Sequence, residues 1–198
     1  QVLEEPVEIV AEPRHVVFFG CLSKGAMKKA SPGKPLELFG PMHVGVLKSP
    51  IGKVYVESDG ERVVRVSFTH LGQGKRGKQP KVLKEAMLQL DGYFKGRRKK
   101  FDLPLYQVGS EYRKKVWHRL SSIAYGKALT YEQLSENVGG NARSAGTACG
   151  DNPLLILVPC HRVLGKSGLL TGYAGELWRK KWLLQHEGVI EKDLFDEA

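Results

Sequence analysis

The sequence lacks any long apolar run. None of its 198 residues fall in a stretch approaching the roughly 18 consecutive apolar positions that a membrane-spanning helix needs. The first residues also lack the basic segment, apolar core and small-residue cleavage site of a secretion signal. Neither membrane insertion nor secretion is therefore expected.

Cysteine is also scarce. Cys21, Cys149 and Cys160 are an odd number and form no Cys-x-x-Cys pair. A disulfide framework needs an even set, and a zinc knuckle needs paired cysteines, so the pattern fits neither. A reducing compartment is the natural inference, and only Cys160 is followed at once by histidine and arginine.

Acidic residues are in the minority, with 21 Asp and Glu against 31 Lys and Arg and a formal net charge of +10. The run Lys95 to Lys100 is almost wholly basic, whereas the tail from Glu191 to Glu197 is mostly acidic. This distribution indicates a polyanionic partner. A solvated loop or a nuclear import signal would explain the basic run equally well, so charge alone does not identify DNA.

The pattern along the chain predicts an α/β N-terminal domain over residues 44–104. Alternating β-branched segments separated by turn sequences predict an antiparallel meander; the segments are 44–48, 53–57 and 62–68. An apolar face at helical spacing predicts a helix over about 82–94 that packs on this sheet. Residues 1–43 are predicted to form a partly mobile extension, and residues 191–198 an acidic tail.

Residues 105–190 are predicted to form a mainly helical domain. Thr130 and Gln133 have the spacing of a capping box, which predicts a short helix to Val138. A Gly-Gly-Asn turn then leads into a second short helix from Ala142, so the pair has a helix-turn-helix outline, winged-helix-like in character. Plain antiparallel helix pairs share this outline. Further helices are expected to begin near residue 110 and near residue 175.

The most informative segment is Pro159-Cys160-His161-Arg162, which ends an apolar run. Free cysteine is good core filler after an apolar strand. Burying His161 and Arg162 beside it would, however, require a polar partner for each. The segment therefore indicates a thiol placed beside a potential base.

Two cysteine chemistries fit this segment poorly. Zinc deaminases need a second cysteine three places after the first, but position 163 is valine. Cysteine hydrolases bring their histidine from elsewhere in the chain, whereas here it is the next residue. Neighbouring side chains of an extended segment point to opposite faces. His161 is therefore expected to reach Cys160 only through a water or in a bent backbone.

The chain resembles the O6-alkylguanine-DNA alkyltransferases, also called methylated-DNA–protein-cysteine methyltransferases. The resemblance covers about Val44 to Gly188 and is carried by an ordered series of segments: Gly126-Lys127, Thr130-Tyr131-Glu132-Gln133-Leu134, Ala142-Arg143-Ser144-Ala145, Asn152-Pro153, Pro159-Cys160-His161-Arg162-Val163, Gly172-Tyr173-Ala174-Gly175 and Trp182-Leu183-Leu184-Gln185-His186-Glu187-Gly188. The number and order of these matches make the resemblance specific.

The resemblance implies direct-reversal repair of DNA. Cys160 would accept a methyl or larger alkyl group irreversibly from O6 of guanine, and also from O4 of thymine, in a single turnover. A water would link the thiol to His161, which Glu187 orients. Asn152 would brace the turn that carries the cysteine, and Tyr131 would donate a proton to the departing guanine.

The resemblance also implies the residues that touch the substrate. The pocket for the flipped base would be formed by Tyr131, Val158, Tyr173, Ala174 and Gly175. Contacts with DNA would come from Arg143, Tyr112, Tyr131, Glu132 and Lys166, with Arg143 entering the base stack from the minor groove. The expected partner is double-stranded DNA containing O6-alkylguanine, bound by a monomer in the nucleus of a eukaryote or otherwise in the cytoplasm.

No cofactor or metal is expected. Some animal relatives hold a structural zinc, but Cys21, His43 and His70 do not fall at the matching positions.

Two other functions remain as alternatives. A noncatalytic lesion-sensing DNA-binding protein would not need the cysteine that this chain retains, and a cysteine hydrolase would turn over repeatedly, which a stable thioether forbids.

Overall fold

The computed structural model describes residues 42–70, 74 and 77–191. The predicted extension therefore lies outside the described residues except at its last two positions, and the acidic tail except at its first. Within the described ranges, no helix has the length and apolar character needed to cross a membrane.

The N-terminal domain is a three-stranded antiparallel sheet covered by one helix, as the sequence predicts. The strands pair in sequence order; they are β1 (His43–Ser49), β2 (Gly52–Ser58) and β3 (Val63–Ser67). Helix α1 (Lys81–Phe94) turns its buried face to the sheet. It comes so close that a Cβ added to Gly45 would lie 2.4 Å from the Met87 sulfur.

The C-terminal domain contains four α-helices and one short parallel strand pair in the described part of the chain. The helices are α2 (Glu111–Ser121), α3 (Tyr131–Val138), α4 (Ala142–Gly150) and α5 (Leu177–His186). The strand pair is β4 (Leu129–Thr130) with β5 (Val163–Leu164). The predicted capping box is confirmed: Gln133 N donates to Thr130 Oγ1, and Thr130 N donates to Gln133 Oε1. Helices α3 and α4 form the predicted helix-turn-helix.

The segment that leads to Cys160 is not the extended strand that its apolar run suggests. Backbone hydrogen bonds from Leu157 N to Leu155 O and from Val158 N to Leu154 O close it into turns. Residues Cys160–Arg162 then form a single turn of 3₁₀ helix. The backbone that carries Cys160 and His161 is therefore bent and not extended.

The last helix begins at Leu177, two residues later than the pattern near residue 175 indicates. The N-cap residue Glu176 has a φ of 73°, which breaks the helical path and ends the preceding loop. At the other end, Gly188 follows the helix with a φ of 71°, and a left-handed glycine is a common way to end a helix.

The turn before Cys160 is joined to the N-terminal sheet. Val66 N in β3 donates to Pro153 O at 2.9 Å, and Leu155 N donates back to Val66 O at 3.2 Å. The segment that carries the cysteine thus extends the edge of a sheet from the other domain.

Candidate active site

Asn152 braces the turn that carries Cys160. Its side-chain oxygen accepts from Leu154 N at 3.1 Å, and its amide nitrogen donates to Val158 O at 2.8 Å. The turn needs such support, because Ile156 has a φ of 71°. A β-branched residue in the left-handed region costs about 1–3 kcal/mol and persists only where its surroundings enforce it.

Cys160 is a buried thiol, only 4% exposed. Burial raises the pKa of the thiol, and a hydrogen bond from Asn152 and the charge of Lys180 partly oppose that rise. Asn152 Nδ2 lies 3.2 Å from Cys160 Sγ. The side chain therefore holds its proton at neutral pH, while a donor is already aimed at the sulfur where negative charge develops on ionisation.

Glu187 is the centre of a buried hydrogen-bond network. Its carboxylate accepts hydrogen bonds from Nε and Nη2 of Arg162 at 2.7 and 2.9 Å, and from the Tyr93 hydroxyl at 2.7 Å. His161 Nε2 lies 2.9 Å from the same carboxylate. Burial opposes ionisation, but the hydrogen bonds from His161 and Arg162 outweigh it and hold the pKa of Glu187 well below its usual range.

His161 presents its free ring nitrogen to the interior of the site. Burial lowers the pKa of the imidazole, with Glu187 opposing the change, so the ring is neutral at neutral pH. Among the described residues, neither His161 Nδ1 nor the buried Tyr173 hydroxyl has a hydrogen-bonding partner. The two rings meet edge to face with centroids 6.5 Å apart. His161 can therefore accept a proton at Nδ1 while Glu187 holds the other side of the ring.

Lys180 places a second cation in the buried interior. Its Nζ donates to Val163 O at 2.6 Å, to Thr171 O at 2.7 Å and to Gly172 O at 3.4 Å. Burial lowers the pKa of the ammonium, and the Cys160 and Cys149 side chains oppose that shift. Lys180 thus ties β5 to the start of the loop before α5 and places positive charge near both thiols.

Tyr131, the first residue of α3, lies beside this group. Burial and the neighbouring Cys149 raise its pKa to about 12, against a hydrogen bond with Thr171. Lys180 Nζ is 5.8 Å from the centre of the phenol ring. The side chain is therefore a neutral phenol that keeps its hydrogen available for donation.

Of the predicted base-pocket residues, Tyr131 and Tyr173 lie close enough to interact electrostatically with the Cys160 thiol. Val158 is fully buried, and its carbonyl accepts from Cys160 N at 2.8 Å. Ala174 is exposed and Tyr173 half-buried. The backbone of Gly175 faces protein: an added Cβ would lie 2.6 Å from the Phe68 ring and 2.7 Å from the Tyr173 ring. Packing within the protein thus requires glycine at this position.

The predicted DNA-contacting residues occupy a more exposed surface. Arg143, Glu132 and Lys166 are exposed, and Tyr112 is half-buried. The Tyr112 and Ser144 hydroxyls lie 2.9 Å apart, joining α2 to the first turn of α4. Only Tyr131 belongs to both this surface and the buried group.

Comparison with known proteins identifies the family. A family model described as the DNA-binding domain of 6-O-methylguanine DNA methyltransferase matches residues 111–189, and one described as its ribonuclease-like domain matches residues 42–107. The methylated-DNA–protein-cysteine methyltransferase of Methanosarcina acetivorans is 38% identical over 74% of this chain and 99% of its own length. The chain belongs to this family.

Relatives from other organisms agree with this assignment. The Mycobacterium leprae protein of the same name is 37% identical over 78% of this chain and 99% of its own. A crystal structure of the Mycobacterium tuberculosis O6-methylguanine methyltransferase has a TM-score of 0.66 at 35% identity, covering 74% of this chain and 93% of that one. A crystal structure of Mycobacterium tuberculosis OGT in complex with DNA has a TM-score of 0.64 at 36% identity, covering 72% and 91%. The predicted family, fold and methyltransferase activity are therefore confirmed, and DNA is the partner.

Three residues of the methyltransferase site are absent from the sequence-based prediction. Arg162 donates two hydrogen bonds to the Glu187 carboxylate, and Tyr93 donates a third to the same carboxylate from the other domain. Lys180 holds the loop before α5 through the Thr171 carbonyl. A signal existed for two of them. Arg162 follows the cysteine directly, and Lys180 shares a helical face with the buried Leu183 and Leu184.

The structure offers no cluster of three His, Cys, Asp or Glu side chains that could hold a metal ion within the ranges it describes. The pair that matters most, His161 and Glu187, instead forms hydrogen bonds with its protein neighbours.

Proposed function

We propose that Cys160 of this DNA-repair methyltransferase takes the alkyl group from O6 of guanine onto its own sulfur. The observation that carries the proposal is the grouping of a buried thiol, a neutral imidazole on the next residue and an ionised carboxylate behind that imidazole. This grouping can remove the thiol proton at the moment of reaction, and the resulting thiolate is the nucleophile.

The proton leaves by way of His161. A water between Cys160 Sγ and His161 Nδ1 would relay it, since that nitrogen has no partner among the described residues. Glu187, ionised at neutral pH, stabilises the imidazolium that forms. Asn152 stabilises the developing thiolate through its 3.2 Å contact with the sulfur.

Transfer then exchanges one bond for another. The thiolate sulfur bonds to the alkyl carbon as the bond from that carbon to O6 breaks. The electron pair of the breaking bond passes to the guanine. Tyr131 donates its hydrogen towards the ring as this charge develops. The proton that guanine finally keeps balances the one that the thiol has lost, so the products are normal guanine and an alkylated cysteine.

Each protein molecule would react once. The product is a thioether with no hydrolysable bond. A second buried thiol, Cys149, lies close enough to feel the charge of Cys160, but burial raises its pKa to about 12. It remains protonated and is a poor acceptor for a second transfer.

The exposed surface of α3 and α4 would receive duplex DNA at the minor groove. The alkylated base lies inside the stack, so it must be flipped out at a cost of a few kcal/mol. Arg143 projects from the first turn of α4, where it would fill the gap left by the base. The groove can be tested with a minor-groove-binding polyamide, which should slow transfer when it occupies the lesion site, whereas a major-groove ligand should not.

The activity is tested by following the DNA. A duplex carrying one O6-methylguanine is mixed with equimolar protein, and its nucleosides are separated after digestion. One guanine should be restored for each protein molecule, and a second addition of DNA should restore none. Tight binding without guanine restoration would instead favour a damage sensor, and repeated turnover would contradict the single-use mechanism.

A further inference from the structure

Arg179 connects the two domains at the edge of the candidate base pocket. Its Nε donates to Ile51 O at 2.8 Å, across 128 residues of sequence, and its Nη1 donates to Gly175 O at 3.2 Å. Ile51 lies in the tight turn between β1 and β2 of the N-terminal domain. One planar guanidinium therefore joins that turn to the loop that precedes α5.

Phe68, immediately after β3, forms the other half of this junction. The Arg179 guanidinium lies 4.7 Å from the centre of the Phe68 ring. The same ring fills the space beside Gly175, where an added Cβ would come within 2.6 Å. The N-terminal domain thus contacts the end of the loop through a backbone carbonyl and an aromatic ring.

The loop over residues 173–175, which we call the pocket loop, is held at both ends. Lys180 holds the preceding residues through Thr171 O and Gly172 O. Arg179 holds the final residue through Gly175 O. The next residue, Glu176, has a φ of 73°, an unfavourable conformation for a residue with a side chain. Surrounding contacts must therefore maintain the path of this loop.

We propose that Arg179 is a positioning residue through which the N-terminal domain sets the geometry of the pocket loop for alkyl transfer. The inference rests on the proposed function and on the base pocket that the family resemblance implies, in which Tyr173, Ala174 and Gly175 face the base. A guanidinium holds two acceptors in a fixed fork and stacks on an aromatic ring, whereas a lysine ammonium is a single flexible charge. A small displacement of a group that orients a substrate has a large effect on rate.

The test is Arg179→Lys in the full chain, with single-turnover transfer from an O6-methylguanine duplex measured over a range of DNA concentrations. We expect the maximal rate to fall about tenfold, because the pocket loop is no longer held in the reactive geometry. The half-saturating DNA concentration and the affinity for undamaged duplex should stay unchanged, since the substitution leaves α3 and α4 intact.

Arg62→Lys is the matched control. Arg179 pairs with the Glu176 carboxylate at 3.0 Å as well as with the two carbonyls. Arg62 likewise pairs with a carboxylate, 2.8 Å from Asp59, and stacks on an aromatic ring, 4.1 Å from Tyr106. These contacts do not involve the pocket loop, so the maximal rate of Arg62→Lys should equal that of the unaltered protein. Phe68→Leu, which removes the stacking ring, should lower the maximal rate in the same direction as Arg179→Lys.

An unchanged maximal rate in Arg179→Lys would overturn the inference. A rate loss that only follows a fall in Tm, or that Arg62→Lys reproduces, would also overturn it in favour of a general structural role. Cys160→Ala separates this inference from the proposed function. Transfer that persists in Cys160→Ala contradicts the proposed function, whereas Cys160-dependent transfer with no effect of Arg179→Lys contradicts only the positioning role.

Discussion

The buried and exposed halves of the site are held in different ways. Around Cys160, nearly every polar atom of Asn152, Arg162 and Glu187 is used in hydrogen bonds to other parts of the chain. On the surface of α3 and α4, the exposed Arg143 and Glu132 point to solvent. Folding alone assembles the polar contacts of the chemical half, whereas the binding half presents exposed side chains to solvent.

This difference separates stability from binding. Substitutions in the buried half should lower the free energy of unfolding together with the transfer rate, because the same hydrogen bonds support both. Substitutions on the exposed half should lower the transfer rate at limiting DNA and leave the free energy of unfolding nearly unchanged.

The largest effect is expected for Glu187→Gln. A neutral amide leaves the buried Arg162 without its counter-charge, which costs about 3–5 kcal/mol of unfolding free energy. Transfer at saturating DNA should fall by about 100-fold or more, since the imidazolium also loses its stabilising charge. Urea unfolding and single-turnover rates measure the two effects. Glu111→Gln, at an exposed pair with Lys114, is the control and should change neither quantity. A Glu187→Gln protein as stable as the unaltered one would show that the buried Arg162 does not need the charge of Glu187.

Asn152→Ala should have the next largest effect. It removes the donor to Val158 O and Cys160 Sγ and the acceptor of Leu154 N, at a cost of about 1–3 kcal/mol. The exposed Asn137, whose side chain donates only to Gln133 O among the described residues, provides the control. Urea unfolding of Asn137→Ala should remain within about 0.5 kcal/mol of the unaltered protein. Equal losses in both variants would show that the turn does not depend on Asn152.

Acid should weaken the buried half in two stages. Burial holds the pKa of His161 below its ordinary 6.5, so the unfolded chain takes up that proton first and stability falls as the pH drops below about 6.5. The pKa of Glu187 is also depressed, from an ordinary 4.5, so its contribution is present above about pH 4.5 and is lost as the pH falls further. For each extra proton on the unfolded chain, the free energy of unfolding falls by about 1.4 kcal/mol per unit drop in pH.

Urea unfolding between pH 8 and pH 2.5 measures this dependence. His161→Gln should remove the first stage and keep the second. A free energy of unfolding that stays constant from pH 7.5 to 5 in the unaltered protein would contradict the burial of a neutral imidazole.

The smallest effect on stability is expected for Arg143→Ala. Its side chain is exposed, so the free energy of unfolding should change by less than about 0.5 kcal/mol. Transfer at limiting lesion DNA should nevertheless fall about tenfold, equivalent to 1.4 kcal/mol of binding, because the gap left by the flipped base is not filled. Arg119→Ala, at a half-buried arginine of α2 that donates to Ser122 Oγ, is the control; identical transfer rates for both variants would remove Arg143 from the DNA contact.

Local features of the fold could be predicted from the sequence because their causes are local. The capping box of Thr130 and Gln133 sets the start of α3, and alternating residues set the three strands. The family motifs also brought together Cys160, His161, Asn152 and Glu187 in one buried site. The catalytic roles of these four residues remain predictions.

The rest depends on contacts between distant parts of the chain. Tyr93 reaches Glu187 across 94 residues, and Arg179 reaches Ile51 across 128. No periodicity or spacing in the sequence encodes such pairs. The bend at Ile156 was also hidden, because an apolar run with β-branched residues indicates a strand, and the hydrogen bonds that enforce the turn come from Asn152 and from the other domain.

The sulfur of Cys160 is the proposed acceptor of the alkyl group. Intact-protein mass after reaction with excess O6-methylguanine duplex, followed by peptide mapping, tests it most directly. One added methyl group is expected, located on the peptide that contains Cys160 and absent in Cys160→Ala. A methyl group on Cys149 or elsewhere, or no mass change while guanine is restored, would contradict it.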